Sequence, residues 1–351
     1  MTECRVAAAD LKRFVAAVFA GVGNAPDAAE RIAHHLVESN VAGHESHGVI
    51  RVPLYLGWQR DGIVVAGPRG DVVQDAGAVA LIDGGFGYGQ VVGEMAVAEG
   101  IRRARAHGVG LIGIRHCGHL GRLGGWAEIA AAAGLASVHF LNSPGKGGIQ
   151  VAPFGGRERR LPPNPMAIAV PQQGRHPLLL DITASVIPEG KVKVALNKGA
   201  MLPEGAAIDA QGRPTRDPRD YYGPPPGALL PSGGHKGAGL CMMIDLLAGA
   251  LTGGGAADPR VEGRGNNLLS LYIDPDRLAG GGALAAAARD LSDWVNSATP
   301  IDAGGEVLSP GDYEARQRAD RAARGVPLDD KTWEQLAVVG RQLRVDVPRR
   351  L

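Results

Sequence analysis

Aromatic side chains, cysteine and net charge are all scarce in this sequence. Phe, Trp and Tyr together make up 4% of its 351 residues, three residues are cysteine, and the formal net charge at pH 7 is +1. So small a charge provides no basic surface for nucleic acid and no acidic tail. The cysteines Cys4, Cys117 and Cys241 form neither a CxxC pair nor an even set for disulfides, which favours a reducing compartment.

Long apolar runs are also missing. The longest, around residues 240–251, contains Asp245 and is too short to span a bilayer. The first residues, Met-Thr-Glu-Cys-Arg-Val, lack the apolar core of a signal peptide. We therefore expect a soluble cytoplasmic protein that binds small molecules and copies of itself, and neither nucleic acid nor a membrane.

Glycine is abundant, with 53 residues, about twice the usual share, which predicts many tight turns. The chain length predicts two or three packed units. Helical apolar spacing predicts helices at residues 7–22 and 25–41, and from about Val72 short apolar runs alternate with helical segments, which indicates an α/β arrangement. The predicted strands are 79–83, 110–114, 136–141, 166–170, 178–181 and 267–273, and the predicted helices among them are 90–107, 123–133, 236–252 and 284–295.

Two further segments have a distinct composition. Residues 200–235 are rich in proline and glycine, and we expect them to form a long excursion over the surface. Residues 313–343 have a helical pattern with interruptions at Gly325 and Pro327, and this tail can fold back on the N-terminal helices.

The stretch His44-Glu-Ser-His-Gly-Val-Ile-Arg-Val-Pro-Leu-Tyr55 spaces His47, Arg51 and Tyr55 four residues apart. On a helix this spacing places all three side chains on one face. An imidazole for proton transfer, a guanidinium for a carboxylate and a phenol would then share one cleft, which suits a small 2-oxo acid. An ordinary polar helix face is the alternative, and Pro53 would either kink the helix or mark its start.

A second histidine group, Arg115-His-Cys-Gly-His-Leu-Gly-Arg122, follows a predicted strand and opens a predicted helix. Ligands commonly bind where strand ends face a helix N-terminus, so His119 is well placed for acid-base chemistry and the nearby amides for an anion. His44 with His47, and His116 with His119, both have H-x-x-H spacing. Neither pair forms H-E-x-x-H or has a recognisable third ligand, so we predict no metal site.

Three glycine- or hydroxyl-rich stretches have unusual chemistry for their positions. Asp181-Ile-Thr-Ala-Ser185, followed by Glu189-Gly-Lys191, groups a carboxylate, hydroxyls and an ammonium at a strand end. Ser232-Gly-Gly-His-Lys-Gly237 precedes an apolar helix and either cradles a phosphate or is a plain helix cap. Asp83-Gly-Gly-Phe-Gly-Tyr-Gly-Gln90 lies where a dinucleotide-binding turn would be sought, but it reads G-x-G-x-G-Q rather than G-x-G-x-x-G. We therefore take it as a plain turn and predict no standard Rossmann domain.

These motifs add up to a family pattern. They are Glu45-Ser-His-Gly-Val-Ile-Arg51, Cys117-Gly-His-Leu-Gly-Arg122, Ala152-Pro-Phe-Gly-Gly156, Asn164-Pro165, Glu189-Gly-Lys191, Gly212-Arg-Pro-Thr-Arg-Asp-Pro218 and Gly233-Gly-His-Lys-Gly237. In this order, from about residue 8 to residue 343, the sequence closely resembles the malate/L-lactate dehydrogenase family that lacks a Rossmann fold. That family also holds ureidoglycolate, sulfolactate and cyclic-imine 2-carboxylate enzymes. The motif Arg-x-Cys-Gly-His-x-Gly-Arg is most similar to that of the family's hydroxycarboxylate dehydrogenase branch, whose substrates include aryl 2-oxo acids.

The resemblance implies an α/β fold with a mixed-sheet, non-Rossmann NAD(P)-binding domain, a helical unit formed from both termini, and a homodimer. The implied domains are a helical unit at residues 1–70 that carries His47 and Arg51, an α/β cofactor- and substrate-binding region of two subdomains at 71–300, and C-terminal helices at 301–351 that pack on the N-terminal unit.

The implied activity is that of an NAD(P)-dependent 2-hydroxy acid dehydrogenase working mainly as a 2-oxo acid reductase. Its cofactor is NAD or NADP, with NADH slightly favoured. A reductase of cyclic imines that carry a 2-carboxylate is an alternative, and so is a repurposed scaffold without dehydrogenase activity.

By motif position, His119 matches the family's proton-transferring residue, and His47 is the second candidate catalytic residue. Histidine suits this role because its pKa lies near neutrality, and arginine suits a carboxylate because its guanidinium binds it with two prongs. The residues expected at the substrate are Ser46, Arg51, Tyr55 and Asn142, and those expected at the cofactor are His47, Gly121, Arg122, Leu123, Asp181, Ile182, Thr183, Ala184, Ser185, Lys191, His235, Lys236 and Gly237.

Three positions depart from the family pattern. Pro163-Asn-Pro165 replaces the usual Thr-Asn-Pro, Ile182-Thr-Ala-Ser185 replaces Met-Ala-Thr-Ser, and Ala206 stands where an aromatic residue is usual. The first two segments are expected near the cofactor, so the missing hydroxyls bear on cofactor affinity and preference.

Overall fold

The computed structural model describes residues 4–67, 69–261, 265–280 and 282–351. The α-helices are α1 Ala8–Gly21, α2 Pro26–Val41, α3 Val52–Arg60, α4 Gly89–His107, α5 Leu123–Ala132, α6 Glu189–Lys198, α7 Pro218–Tyr222, α8 His235–Ile244, α9 Ala283–Asn296, α10 Asp312–Arg324 and α11 Asp330–Leu343. The strands are β1 Cys4–Val6, β2 Asp71–Ala76, β3 Val79–Asp83, β4 Val109–Cys117, β5 Ala136–Asn142, β6 Met166–Val170, β7 Leu178–Ile182, β8 Ala207–Ile208, β9 Pro214–Thr215, β10 Ala228–Leu229, β11 Asn266–Ile273 and β12 Val326–Leu328.

A seven-stranded mixed sheet forms the centre of the molecule, with the strand order β2-β3-β4-β11-β5-β6-β7. Strands β3 and β4 run parallel and are joined by helix α4, whereas the other neighbouring pairs are antiparallel. A parallel pair requires such a crossover, while antiparallel neighbours can be joined directly. The predicted mixed α/β fold is therefore confirmed, and its strand order differs from that of a Rossmann domain.

Helices cover both faces of this sheet. Helices α4 and α5 pack on the face that buries Ile112 and Ile114. Gly113 points to the opposite face, where an added Cβ would lie 3.3 Å from the side chain of Thr252. That residue follows α8 and its π-helical continuation at Asp245–Ala250, so the predicted helix at 236–252 forms with a change of pitch near its end. The sheet core is therefore sandwiched between two helical layers.

A separate helical unit is built from both ends of the chain. Phe14 of α1 and Ile32 of α2 share one apolar core with Val326 of β12 and Leu336 of α11. Strands β1 and β12 also pair with each other. Each large side chain buried in this way contributes about 1.5–3 kcal/mol to folding. The predicted helical unit formed from both termini is thus confirmed.

The expected surface excursion at residues 200–235 is wrong. Its apolar residues Leu202, Tyr221 and Leu229 are buried, and they pack with Val151 and Val192 in a third apolar cluster. Strands β8, β9 and β10 form a small sheet within the same segment. The prediction failed because these apolar residues are widely spaced in sequence and follow no helical or strand period. None of the helices in the described ranges combines the length and apolarity needed to cross a bilayer.

Candidate functional site

A cleft of about 770 Å³ lies where the helical unit, the mixed sheet and the third apolar cluster meet. Such clefts between packed units are the usual places for small-molecule ligands. The predicted site residues that line it are Ser46, His47, Arg51, His119, Gly121, Arg122, Leu123, Asp181, Ile182, Thr183, Ser185 and Lys191. Residues far apart in the sequence are thus brought to one cavity.

His47, Arg51 and Tyr55 do not share a single helix, and of the two alternatives for Pro53 the structure confirms a helix that starts there. Two short 3-10 turns at Glu45–His47 and Val49–Arg51 precede α3, which begins at Val52. Pro53 lies in the first turn of α3, where its missing N–H costs no hydrogen bond, so the proline marks the start of the helix. His47 and Arg51 nevertheless line the cleft. Tyr55 is buried and does not line it.

Two histidine rings lie side by side in the cleft. The rings of His47 and His119 are nearly parallel, with centroids 5.7 Å apart. Nδ1 of His119 lies 2.5 Å from the Tyr55 hydroxyl and accepts a hydrogen bond from the Gly121 N–H at 3.3 Å. Ser46 Oγ is 3.0 Å from Nδ1 of His47. Hydrogen bonds at Nδ1 therefore fix the orientation of both rings.

Burial and a nearby cation keep both imidazoles uncharged. Burial, followed by the charge of Arg51, lowers the pKa of His119 to about 3. Burial, again followed by the charge of Arg51, lowers the pKa of His47 well below its usual 6.5. At pH 7 each ring is thus neutral. One of its two nitrogens carries a hydrogen and donates, and the other accepts.

Arg51 is fixed in orientation at the cleft wall. Its Nε donates to the backbone oxygen of Ser46 at 2.6 Å. An added Cβ on Gly190 would lie 3.1 Å from Nη2, so the start of α6 closely borders the guanidinium. Because Nε is engaged, the two terminal nitrogens are the pair that can bind a carboxylate bidentately.

A candidate anion-binding corner lies at the N-terminus of α5. Arg122 is 3% exposed, and its Nη2 pairs with Glu128. Its Nη1 is buried and, among the described residues, has no hydrogen-bond partner. The Gly124 N–H donates to Asp181 Oδ2 at 2.9 Å, which ties this helix start to the end of β7. A buried guanidinium nitrogen without a partner can bind a negatively charged group of a ligand.

Two of the three departures from the family pattern, at Pro163 and Ala184, lie in a hydroxyl-rich corner. Thr183 Oγ1 donates to the Pro163 carbonyl at 3.0 Å and lies 3.0 Å from Ser185 Oγ, which donates to the Ile187 carbonyl at 2.7 Å. Ala184 is 1% exposed and does not line the cleft. The hydroxyls at 183 and 185 therefore supply local hydrogen bonds beside the smaller side chain.

Some predicted site residues lie outside the cleft. Asn142, predicted at the substrate, is fully buried, and its amide donates to Asp245 Oδ1 at 3.1 Å while its oxygen accepts from Asn267 at 2.9 Å. It faces the segment after α8 instead of the cavity. His235 and Lys236 are exposed at the start of α8 and Gly237 is buried beneath them, so Ser232 is the member of that motif that lines the cleft. Within the described residues, no group of three or more His, Cys, Asp or Glu side chains could hold a metal ion.

Several cleft residues escaped the sequence analysis. Leu54 and Trp58 follow Arg51 by three and seven residues, a helical spacing that could have found them. Arg159 lies in the stretch after Ala152-Pro-Phe-Gly-Gly156, and its side chain donates to the backbone oxygens of Tyr221 and Gly227. Tyr222 also lines the cleft, but its sequence surroundings give no signal, since only the folding of residues 200–235 brings it there.

The fold and the cleft define a class of oxidoreductase, and comparison with known proteins agrees. The family model for malate/L-lactate dehydrogenase matches residues 6–337. The chain belongs to the malate/L-lactate dehydrogenase family.

Three relatives illustrate the similarity. Hydroxycarboxylate dehydrogenase B of Escherichia coli O157:H7 is 36% identical over 344 residues, covering 97% of this chain and 94% of the relative. The structure of malate dehydrogenase from Pyrococcus horikoshii OT3 aligns with a TM-score of 0.88 at 29% identity, covering 98% of this chain and 97% of that chain. The structure of delta1-piperideine-2-carboxylate reductase from Pseudomonas syringae pvar. tomato aligns with a TM-score of 0.83 at 30% identity, covering 95% and 99%.

Proposed function

We propose that this protein is an NAD(P)-dependent oxidoreductase that interconverts a 2-oxo acid and a 2-hydroxy acid, mainly as a reductase. The observation that carries the proposal is the pairing of Arg51 with His119 in one cleft. A carboxylate-binding cation and a proton-exchanging imidazole are the two groups that reduction of a 2-oxo acid requires from a protein.

Arg51 binds the substrate carboxylate. With Nε bonded to Ser46, the terminal nitrogens form the two-pronged contact that fixes the carbonyl face. Ser46 assists indirectly through the His47 ring. His47 orients the carbonyl group or the cofactor carboxamide.

The anion corner supports a dinucleotide cofactor. Arg122 Nη1 and the 181–185 strand end would hold its phosphates and ribose, and we favour NADH slightly over NADPH. When bound, the nicotinamide supplies the hydride that adds to the substrate C2.

His119 delivers the proton to the substrate oxygen. Its Nδ1 is occupied by Tyr55 and Gly121, so Nε2 is the ring nitrogen that meets the oxygen. The C2 carbon gains hydride while the oxygen gains this proton, which yields the hydroxy acid.

A reductase of cyclic imines with a 2-carboxylate is the second candidate. The 30% identity to delta1-piperideine-2-carboxylate reductase favours it, and Arg51 would hold the same carboxylate. The reduced bond is then C=N, with hydride added to carbon and the proton to nitrogen.

A substrate screen tests these proposals. Purified enzyme is mixed with NADH or NADPH and a panel of 2-oxo acids, aryl pyruvates and cyclic imine 2-carboxylates, and the loss of cofactor absorbance is followed. We expect turnover of a 2-oxo acid, and a loss of roughly two to four orders of magnitude in His119→Ala. Turnover of imines alone would favour the second candidate. If neither NADH nor NADPH binds in a fluorescence titration, both candidate activities are refuted and a repurposed scaffold is favoured.

We also propose a cytoplasmic homodimer. Support for a second copy comes from the outer face of α8 and its continuation, where Met242, Met243, Leu246, Leu247 and Leu251 are all exposed. Residues 240–251 contain one charged residue, Asp245, which is buried, so this stretch exposes no charge to oppose self-association.

A further inference from the structure

The glycine-rich turn at 83–90 has a role behind the candidate active site. Gln90, its last residue, lies in the first turn of α4 and is 1% exposed. An added Cβ on Gly89 would overlap the backbone carbonyl of His119, and the Gly118 N–H donates to the Gly87 oxygen at 2.8 Å. The glycines thus allow the turn to approach the His119 loop closely enough for Gln90 to reach it.

The Gln90 amide can adopt one orientation here. Its Nε2 lies 3.1 Å from the backbone oxygen of His119 and 3.3 Å from the Tyr55 hydroxyl oxygen. A backbone oxygen can only accept, so the amide nitrogen must face it. One amide hydrogen goes to the His119 oxygen and the other goes to the Tyr55 hydroxyl.

This donor determines where the Tyr55 hydrogen points. Because the hydroxyl oxygen accepts from Gln90, its own hydrogen is left for the acceptor on its other side, which is His119 Nδ1 at 2.5 Å. The Gly121 N–H also points at Nδ1. With Nδ1 accepting, the hydrogen of the neutral ring resides on Nε2, the nitrogen without a partner among the described residues.

We propose that Gln90 is a positioning residue that acts through Tyr55 to fix the tautomer of His119 and to make Tyr55 its proton source. The proposal deepens the proposed function of the same site and rests on it. During reduction the Nε2–H bond breaks and the substrate oxygen forms an O–H bond, taking the electron pair released from the C=O bond by hydride addition at C2. At the same time the Tyr55 O–H bond breaks and Nδ1–H forms.

This relay leaves the ring neutral and Tyr55 as a phenolate, which the Gln90 amide stabilises. After product leaves, Nε2 takes up from the solvent the one proton that the overall reduction consumes, and Nδ1 returns its proton to Tyr55. The protein then regains its starting state, with all protons accounted for.

The test uses the full-length enzyme and the variants Gln90→Met, Tyr55→Phe and the double variant. Nitrogen NMR of labelled histidine, recorded without substrate, reports which nitrogen of His119 carries hydrogen. We expect Nε2–H in wild type and a mixture or the reversed tautomer in both single variants. We also expect kcat to fall about tenfold or more in each, with KM changed by no more than a few fold.

A double-mutant cycle separates positioning from structural support. If Gln90 acts through Tyr55, adding Gln90→Met to Tyr55→Phe lowers kcat little further, whereas independent effects would multiply. Gln59→Met is the matched control, since Gln59 bonds to Tyr88 at 2.7 Å in the same helical unit without touching His119. That variant should keep wild-type kcat and the wild-type His119 spectrum.

Three results would overturn the inference: Nδ1–H in wild-type His119, an unchanged tautomer in Tyr55→Phe, or multiplicative losses of kcat. Tyr55→Phe keeps the ring and removes one oxygen, so the tautomer test stands even if Gln90→Met fails to fold. Because the NMR measurement needs no turnover, a wild-type enzyme that reduces no substrate would refute the proposed function while leaving the Gln90 geometry separately measurable.

Discussion

At the scale of single residues, the shape of the Arg51 guanidinium matters as much as its charge. Lysine keeps the charge but cannot form the two parallel hydrogen bonds to a carboxylate. We expect Arg51→Lys to lower kcat/KM for a 2-oxo acid at least about tenfold, near 1.4 kcal/mol in transition-state binding. Steady-state kinetics measure this. Arg60→Lys, at the exposed end of the following helix α3, is the control and should behave as wild type, and equal kinetics in both variants would remove Arg51 from the site.

Buried histidines make the stability of the protein sensitive to acid. His139 lies away from the cleft between Ser137 and Ser270, is 0% exposed, and burial lowers its pKa from 6.5 to about 3. Its pKa in the folded state is below that in the unfolded state, so the unfolded chain binds the proton first. The contribution of the neutral His139 ring to the free energy of unfolding is therefore fully present above about pH 6.5. It is lost as the pH falls towards 3, by up to about 1.4 kcal/mol per pH unit.

Denaturant unfolding at a series of pH values checks this. We expect the free energy of unfolding of wild type to fall steadily below pH 6.5, and His139→Gln to show a shallower fall across the same range. An identical slope in the two proteins would show that the proton on His139 is not coupled to folding.

At the scale of elements, close backbone approach explains where glycine is required. Gly89 begins α4 against the carbonyl of His119, so alanine there forces the two segments apart. Gly57 lies within α3 with no atom within 4 Å of its missing Cβ. We expect Gly89→Ala to lower both the melting temperature and kcat, while Gly57→Ala is neutral or stabilising by up to about 1 kcal/mol. Thermal scans and kinetics of the pair check this, and equal behaviour of the two variants would contradict the packing argument.

The sequence predicted those elements whose side chains follow a clear period. Strands β3 and β6 were predicted with the observed ends, because one apolar run fills each. Strand β2 was missed, since all its residues are exposed and no apolar alternation marks it. The site histidines were found through motifs, and the start of α3 agrees with one of the two outcomes predicted for Pro53, whereas the two short turns before it were not predicted.

At the scale of the whole molecule, the C-terminal helix α10 holds the segment that carries His47 and Arg51. Arg321 pairs with Glu45 and with the backbone oxygen of Asn40, and His44 Nε2 lies 2.8 Å from Glu314 Oε1. These partners are about 270 to 280 positions apart in the chain. The helical pattern of residues 313–343 allowed the tail to fold back on the N-terminal helices, but no local pattern predicts these particular contacts, which only the structure gives.

The outer face of α8 should separate copies of the chain when charged. We expect Leu247→Glu combined with Met243→Glu to convert a dimer into a monomer, because two buried carboxylates per subunit oppose association. Light scattering coupled to size-exclusion chromatography gives the mass. Val73→Glu, at an exposed apolar residue of β2, is the control and should leave the mass unchanged. A dimer that survives the double substitution would place the interface elsewhere, and a monomeric wild type would refute the dimer.

The central claim is hydride transfer to C2 of a 2-oxo acid held by Arg51 and protonated by His119, and isotope transfer tests it most directly. The wild-type enzyme is given a 2-oxo acid and reduced cofactor labelled with deuterium at each of the two nicotinamide C4 positions in turn, and the product is examined by mass spectrometry. The account predicts one deuterium at C2 of the hydroxy acid for each cofactor oxidised, from only one of the two labelled positions. Product without deuterium from either label, or no oxidation of NADH or NADPH by any 2-oxo acid tested, would contradict it.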